Sequence, residues 1–197
     1  MGKVTVIGGA GFLGRYLVKR LAQQGLQVRV AVRDPEAASF LKPMGDVGQV
    51  QPIQANIRNQ ASIARAVAGA DVVINLAGVM FPGGAQSFQA VHVDGAETVA
   101  RAAAAAGVGR LIHISAIGAD AEADSKYARS KATGEAMVRA AYPDASIVRP
   151  STIFGAEDHF FNLFARLATL TPVMPLLGGG NRCMQPVYVG DVAQAIA

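Results

Sequence analysis

The chain has 197 residues, 51% of them hydrophobic and only 16% charged, with a formal net charge of +4. That balance excludes a disordered chain and suits one α/β domain with the start of another. The basic residues are scattered, which excludes a nucleic-acid-binding tract, and the lone Cys183 excludes an internal disulfide and suits a reducing compartment. No apolar stretch is long enough to cross a bilayer and the start lacks the build of a signal peptide, so a cytoplasmic protein is expected.

In chain order, the first element is a β-branched run, Val4-Thr5-Val6-Ile7, that stops at Gly8-Gly9-Ala10-Gly11-Phe12-Leu13-Gly14. Leu13, Leu17, Val18 and Leu21 then form a helix stripe, and Gly25 is placed to end it. A strand, a glycine turn and a helix in that order make a place for a dinucleotide. Its pyrophosphate needs backbone N–H donors at close range and the positive end of a helix dipole behind them. Gly9, Gly11 and Gly14 fit one glycine spacing of the fingerprint and Gly8, Gly11 and Gly14 another; both build the same site. The bland reading is a tight turn with no ligand.

Leu26, Val28, Val30 and Val32 alternate with polar or small residues as a second strand ending at Arg33-Asp34-Pro35. A carboxylate at that tip would hold a ribose 2′-OH and select NAD(H), whereas a guanidinium would hold the 2′-phosphate of NADP(H). Arg33 follows the strand directly, so NADP(H) is favoured, with Asp34 and NAD(H) as the alternative. Residues 36–49 read as a helical or irregular link. Val50 to Ile53 form a short third strand that Pro52 makes either ragged or an edge neighbour, and Asn56-Ile57 after it are placed either to touch an adenine or to form a surface loop. Ile63, Ala66 and Val67 are a further helix stripe. Asp71 to Gly78 reads as a buried strand whose last residues, Leu76-Ala77-Gly78, leave room for a cofactor.

Gln86 to Ala106 reads as one long alanine-rich helix, Arg110 to Ser115 as a strand, Tyr127 to Tyr142 as a helix and Ser146 to Arg149 as a strand stopped by Pro150. This cadence predicts an α/β fold, a Rossmann-type doubly wound parallel sheet with helices on both faces. Tyr127 and Lys131 are four apart and share a helix face just after the strand ending at Ser115. A phenol working as an acid or base near pH 7 needs its pKa of about 10 lowered by roughly three units, about 4 kcal/mol, which the Lys131 ammonium and ribose hydroxyls are placed to supply. His92, His113 and His159 have no metal-ligand spacing and read as packed or solvated. Phe160, Phe161, Leu163, Phe164, Leu167 and Leu170 form an apolar helix face, followed by Pro172, Pro175 and Gly178-Gly179-Gly180.

The glycine turn, Asn75-Leu76-Ala77-Gly78, the Tyr127 and Lys131 pair, Arg149-Pro150 with Ile153-Phe154-Gly155, and Pro186-Val187-Tyr188-Val189 with Asp191-Val192 fall in order along the chain. Together they resemble the atypical or extended short-chain dehydrogenase/reductase superfamily, of NAD-dependent epimerase/dehydratase type. Gly11-Phe12-Leu13-Gly14-Arg15-Tyr16, Met44 to Val50, Val72 to Leu76 and Gln185 to Val189 resemble more closely the NADPH-binding accessory subunits of respiratory complex I and their bacterial relatives. The resemblance implies that Gly8, Gly11 and Gly14, with Phe12 and Leu13, hold the pyrophosphate and that Arg33 meets the 2′-phosphate. It implies further that Tyr127 and Lys131 face the nicotinamide ribose, with Pro150 and Ile153 near the nicotinamide ring. It divides the chain into a dinucleotide-binding domain, 1–155, and the start of a C-terminal substrate or partner lobe, 156–197. Two departures bear on turnover. Active members carry a hydroxyl a residue or two beyond Ser115, where this chain has Ala116 and Ile117, and often carry an Asn where this chain has His92.

Three functions are therefore open. One is an accessory subunit of an NADH:quinone oxidoreductase with a largely structural nucleotide, partnered by respiratory-complex subunits and peripheral at the cytoplasmic face of the inner membrane. Another is a free-standing NAD(P)-dependent oxidoreductase or sugar-nucleotide epimerase/dehydratase, with Tyr127, Lys131 and Ser115 catalytic. The third is a sensor that reports nucleotide redox state to a partner.

Overall fold

A computed structural model of the chain describes residues 2–171 and 183–197, so the Pro172, Pro175 and Gly178-Gly179-Gly180 signals lie outside the described residues. The elements are β1 (Lys3–Ile7), α1 (Phe12–Gln23), β2 (Gln27–Val32), β3 (Val50–Gln54), α2 (Gln60–Val67), β4 (Val72–Asn75), α3 (Asp94–Ala105), β5 (Arg110–Ile114), α4 (Lys126–Ala141), β6 (Ser146–Val148), β7 (Ile153–Phe154), α5 (Phe161–Leu170), β8 (Val187–Tyr188) and α6 (Val189–Ile196). A 3₁₀ turn, Ser39–Met44, lies within the link between β2 and β3, and a π-helical turn, Gln89–Val93, runs directly into α3.

Six strands pair in parallel in the order β3-β2-β1-β4-β5-β6, while β7 and β8 form a separate parallel pair. The order reverses between β1 and β4, the topological switch point outside which such sheets open a crevice at their carboxyl ends. The doubly wound Rossmann-type sheet expected from the sequence is what the chain forms. Pro52 pairs with Val30 from the outermost strand, where its missing N–H interrupts no further ladder.

The pleat sends alternate residues into two cores. Val4, Val6, Val28, Val30 and Val32 pack with Leu17, Val18 and Leu21 of α1 and with Val192 and Ile196 of α6. Ile7, Ala31, Val73 and Leu111 pack on the other face with Ile63 of α2, Val99 and Ala103 of α3 and Val138 of α4. Thr5, on that second face, donates its hydroxyl to the Ala66 carbonyl, so the one polar side chain facing inward from β1 is satisfied.

The strand expected from Asp71 to Gly78 is regular over Val72–Asn75, with the Asp71 and Leu76 amides still donating to the Lys3 and Ile7 carbonyls of β1, each at 2.9 Å, and Leu76, Ala77 and Gly78 then line the crevice. The helix expected from Gln86 begins at Phe88 and carries the π turn before continuing as α3. α5 has the apolar face read from its sequence but buries none of its residues.

Candidate functional site

The glycine turn connects β1 to α1 at the switch point, and its three fingerprint positions have different needs. Gly8 has φ +77°, a left-handed conformation that side chains resist. A Cβ on Gly14 would lie 2.4 Å from the Gly9 carbonyl oxygen, so the close passage of α1 over the turn requires glycine there. Gly11 is different: at φ −72° and ψ 180° any residue is comfortable, and a Cβ would meet only the Gly8 carbonyl, at 3.3 Å. The fold therefore makes no strong demand for glycine at 11, whereas a ligand approaching the backbone would. No side chain caps α1 and no acid lies in its first turn, so its leading amides and its dipole face the crevice uncompensated. Such bare, uncompensated amides are what a pyrophosphate would need.

The crevice has a volume of about 710 Å³. Of the residues named from the sequence, Gly8, Gly11, Phe12, Leu13, Gly14, Arg33, Asn56, Ile57, Leu76, Ala77 and Gly78 line it. Ser115, Tyr127, Lys131, Pro150 and Ile153 do not. Lys131 nonetheless stands close behind the wall, because a Cβ on Gly78 would lie 3.5 Å from its Nζ. Ile153 packs against the first core, and the Pro150 carbonyl accepts the Ile117 N–H at 2.8 Å. Gly155, just beyond, abuts the Phe12 ring, which brings that segment alongside the glycine turn.

At the β2 tip the two rival residues are disposed differently. Asp34 Oδ1 accepts the Glu36 and Ala37 amides at 3.0 and 3.1 Å, which commits that oxygen to folding its own loop. The exposed Arg33 lines the crevice and has no hydrogen bond or ion pair among the described residues. Arg58, not singled out from the sequence, lines the same end, as do Val79, Gln86 and Val91 farther along. An arginine in a polar loop gives no one-dimensional signal; only the crevice geometry reveals it.

Behind the crevice lies a second set of residues. His92, from the π turn, is buried and its Nδ1 lies 2.9 Å from Ser130 Oγ. Ser130 gives its own proton to the Tyr127 carbonyl at 2.7 Å, so His92 must donate from Nδ1. Its Nε2 is then free to accept the Val79 amide, at 3.0 Å. Burial, and then the Lys131 charge, push the imidazole down to about 4, which keeps it neutral. The ring stacks on Phe88 and meets Tyr127 edge-on, tying the crevice wall to the start of α4. Among the described residues no group of His, Cys, Asp and Glu could hold a metal, and His92 and His113 are packed.

From residue 4 to residue 197 the chain matches one protein family. It belongs to the NAD dependent epimerase/dehydratase family. In the mouse, NADH dehydrogenase (ubiquinone) 1 alpha subcomplex subunit 9, mitochondrial, is 42% identical over 193 residues, covering 98% of this chain and 51% of the mouse protein. A ceramide reductase of Caulobacter vibrioides is 38% identical over 193 residues, 98% of this chain and 59% of that protein. The chain thus spans about half the length of the curated relatives it matches. Among solved structures, the Streptomyces venezuelae dTDP-glucose 4,6-dehydratase DesIV, with NAD bound, superposes with a TM-score of 0.83 at 25% identity, over 98% of this chain and 70% of that one.

Within the chain itself the Lys131 ammonium alone does not lower the Tyr127 phenol. Nζ is 6.0 Å from the ring centroid and donates to the Ile114 carbonyl at 3.1 Å, while burial pushes the phenol above its ordinary value. Lys131 itself is pushed down to about 8, by burial, with Glu135 opposing. Ser115 Oγ is buried and, among the described residues, makes no well-formed hydrogen bond, although the Glu135 carboxylate is close enough to feel it. It faces the polar interior beneath α4 and not the crevice lining.

Proposed function

We propose that this chain is the dinucleotide-binding part of an NADPH-binding accessory subunit of NADH:quinone oxidoreductase, with the nucleotide serving mainly to complete the fold. The observation that carries the reading is a contrast within one site. The glycine-turn cradle has Gly11 bare toward the crevice, while the groups expected to do chemistry are poorly equipped for it: Ser115 faces the interior and burial raises the Tyr127 phenol. The likeness to the mouse subunit supports it. Gly8, Gly11, Phe12, Leu13 and Gly14 would hold the pyrophosphate, Arg33 and Arg58 the adenosine end, Asn56 and Ile57 the adenine edge, and Leu76, Ala77 and Gly78 the wall beneath the nicotinamide half. Tyr127 and Lys131 would face its ribose, and Pro150 and Ile153 its ring. The free Arg33 and the committed Asp34 favour NADP(H) over NAD(H). The nucleotide would supply redox chemistry when bound; the chain's own residues bind and orient it.

The test is purification of the full-length protein from its native membranes. Comigration with NADH:quinone oxidoreductase activity, at fixed stoichiometry and with NADPH retained, is expected. A protein that never accompanies that activity would overturn the subunit reading. A second reading, a free-standing reductase, is favoured by the Tyr127 and Lys131 pair behind Gly78 and by the likeness to the ceramide reductase. It requires NADPH oxidation with a carbonyl substrate that is lost in Tyr127→Phe with NADPH affinity retained; no turnover across lipid, quinone and sugar-nucleotide carbonyls would remove it.

A further inference from the structure

Beneath Lys131 the structure holds a buried acid that none of the chemistry above uses. Glu135 lies one helical turn along α4, is itself buried, and is gripped by Arg149, whose Nε and Nη2 donate to its two carboxylate oxygens at 2.8 and 2.5 Å. Arg149 ends the β6 segment with its side chain half exposed, so the carboxylate is anchored from the solvent side while its field acts inward. His113 and Ser115, two apart on one face of the β5 segment, point to the same interior. The Asn75 amide accepts the Ala77 N–H and so must present its NH₂ to His113 Nδ1. His113 is thereby fixed as the Nε2–H tautomer, and that N–H is buried without a partner among the described residues.

We infer that Glu135, buried one helical turn along α4 from the buried Lys131, is a positioning residue for the nucleotide site, acting as the counter-charge to the ammonium that stands behind Gly78. The inference rests on the reading that Lys131 meets the nicotinamide ribose. A buried ammonium with, among the described residues, only the Ile114 carbonyl as hydrogen-bond acceptor is poorly compensated. The groups facing it are Tyr127 and Glu135 from its own helix, His113 from β5 and His92 from the π turn, with Arg149 acting on Glu135 from the β6 end. Both imidazoles are neutral and the phenol is protonated, so Glu135 is the anion among them. Burial pushes its carboxyl up, but the Arg149 fork, and then Ser115, bring it below the usual carboxylate range, so it stays charged.

The experiment is a pH titration of the lysine side-chain resonances of the full chain labelled with ¹³C-lysine, with Lys131 assigned by its loss in Lys131→Arg. NADPH affinity is measured in parallel at pH 6 and pH 8. Glu135→Gln is expected to lower the Lys131 midpoint by about one pH unit, a tenfold loss of proton affinity, and so to weaken NADPH roughly fivefold at pH 8 with less than a twofold change at pH 6. Arg149→Gln breaks the same ion pair but leaves the carboxylate, so it should hold or raise the Lys131 midpoint, and Glu135→Asp should restore most of it. A purely structural pair predicts the same direction for Glu135→Gln and Arg149→Gln. That result, or an unmoved Lys131 in Glu135→Gln, overturns the inference. Failure of the parent protein to bind NADPH would instead sink the nucleotide reading, while the lysine titration would still decide the counter-charge.

Discussion

Replacing Gly11 by Val separates what the fold needs from what a ligand needs. The residue is extended at φ −72°, ψ 180°, and its Cβ would meet only the Gly8 carbonyl, at 3.3 Å. Losing glycine at a helix N-cap costs up to about 1 kcal/mol. The smaller freedom of the unfolded chain returns about 0.4–1 kcal/mol of that. Net stability should therefore stay within about 1 kcal/mol, a shift of roughly 2–4 °C for a chain of this size. Binding is another matter. The valine side chain would stand where a pyrophosphate must approach the leading amides of α1. Two charge-assisted hydrogen bonds lost at about 1.5 kcal/mol or more each weaken binding by about 3 kcal/mol, at least a hundredfold. Gly14→Ala is the control with the opposite profile. Its Cβ would sit 2.4 Å from the Gly9 oxygen and 2.6 Å from Gly9 Cα, and moving backbone to relieve such overlap costs about 1–3 kcal/mol or more. Nicotinamide fluorescence titration with NADPH and scanning calorimetry read the two quantities. A Gly11→Val protein that binds NADPH within threefold of the parent, or that melts as early as Gly14→Ala, would refute the argument.

Arg33→Ala should weaken NADPH about tenfold or more, the worth of a charge-assisted contact, and leave NADH within twofold. Asp34→Asn should leave the ratio unchanged, because its side-chain oxygen can still accept from Glu36 and Ala37; a swing toward NADPH in that variant would instead place Asp34 at the ribose. His113 is held near 4, chiefly by burial and then by Lys131, against an ordinary value of 6.5. The unfolded chain binds that proton first, so its contribution is complete above pH 6.5 and falls as the pH drops toward 4, by about 2 kcal/mol between pH 7.5 and pH 5. His92, shifted the same way, adds to the loss. Denaturant midpoints that stay flat over that range would contradict the neutral, buried assignment. Because burial raises the Tyr127 phenol, the ultraviolet difference between the parent and Tyr127→Phe should show ionisation at a higher pH than an ordinary phenol in the absence of nucleotide, and ionisation near pH 7 would restore the activated phenol.

Much of this architecture could be read in one dimension, because each layer follows from a local pattern. Alternating valines from Val28 to Val32, with Pro52 in the next run, are enough to draw an edge beside an inner strand, and Val30 does pair with Pro52. The glycine turn was equally legible, since Gly8 and Gly14 answer to backbone conformation and contact that sequence spacing encodes. What escaped depends on side-chain direction or on distant partners. The four-residue spacing of Tyr127 and Lys131 says that they share a face, but not that Nζ turns to the Ile114 carbonyl. His92 could be placed on a helix, yet its hydrogen-bond partners Val79 and Ser130 lie on separate segments that only the tertiary fold brings together. Arg58 looks like any solvated arginine until β3 delivers it to the crevice.

The π turn before α3 sets the rotational phase of that helix. Gln89 accepts from Asp94, five residues on, so the segment holds one residue more than an ordinary turn would. Each residue of an α-helix advances it by about 100°. Deleting one residue from this stretch would restore a regular ladder but swing everything upstream by about that angle relative to α3, carrying Phe88 off the Tyr127 edge. The bulged His92 carbonyl would also withdraw from Gly134, where a Cβ would now lie only 2.1 Å from it. Alanine at 134 should thus be poorly tolerated in the natural chain and far better tolerated in a chain shortened by that single residue, so the two changes ought to travel together wherever this helix pair is re-engineered.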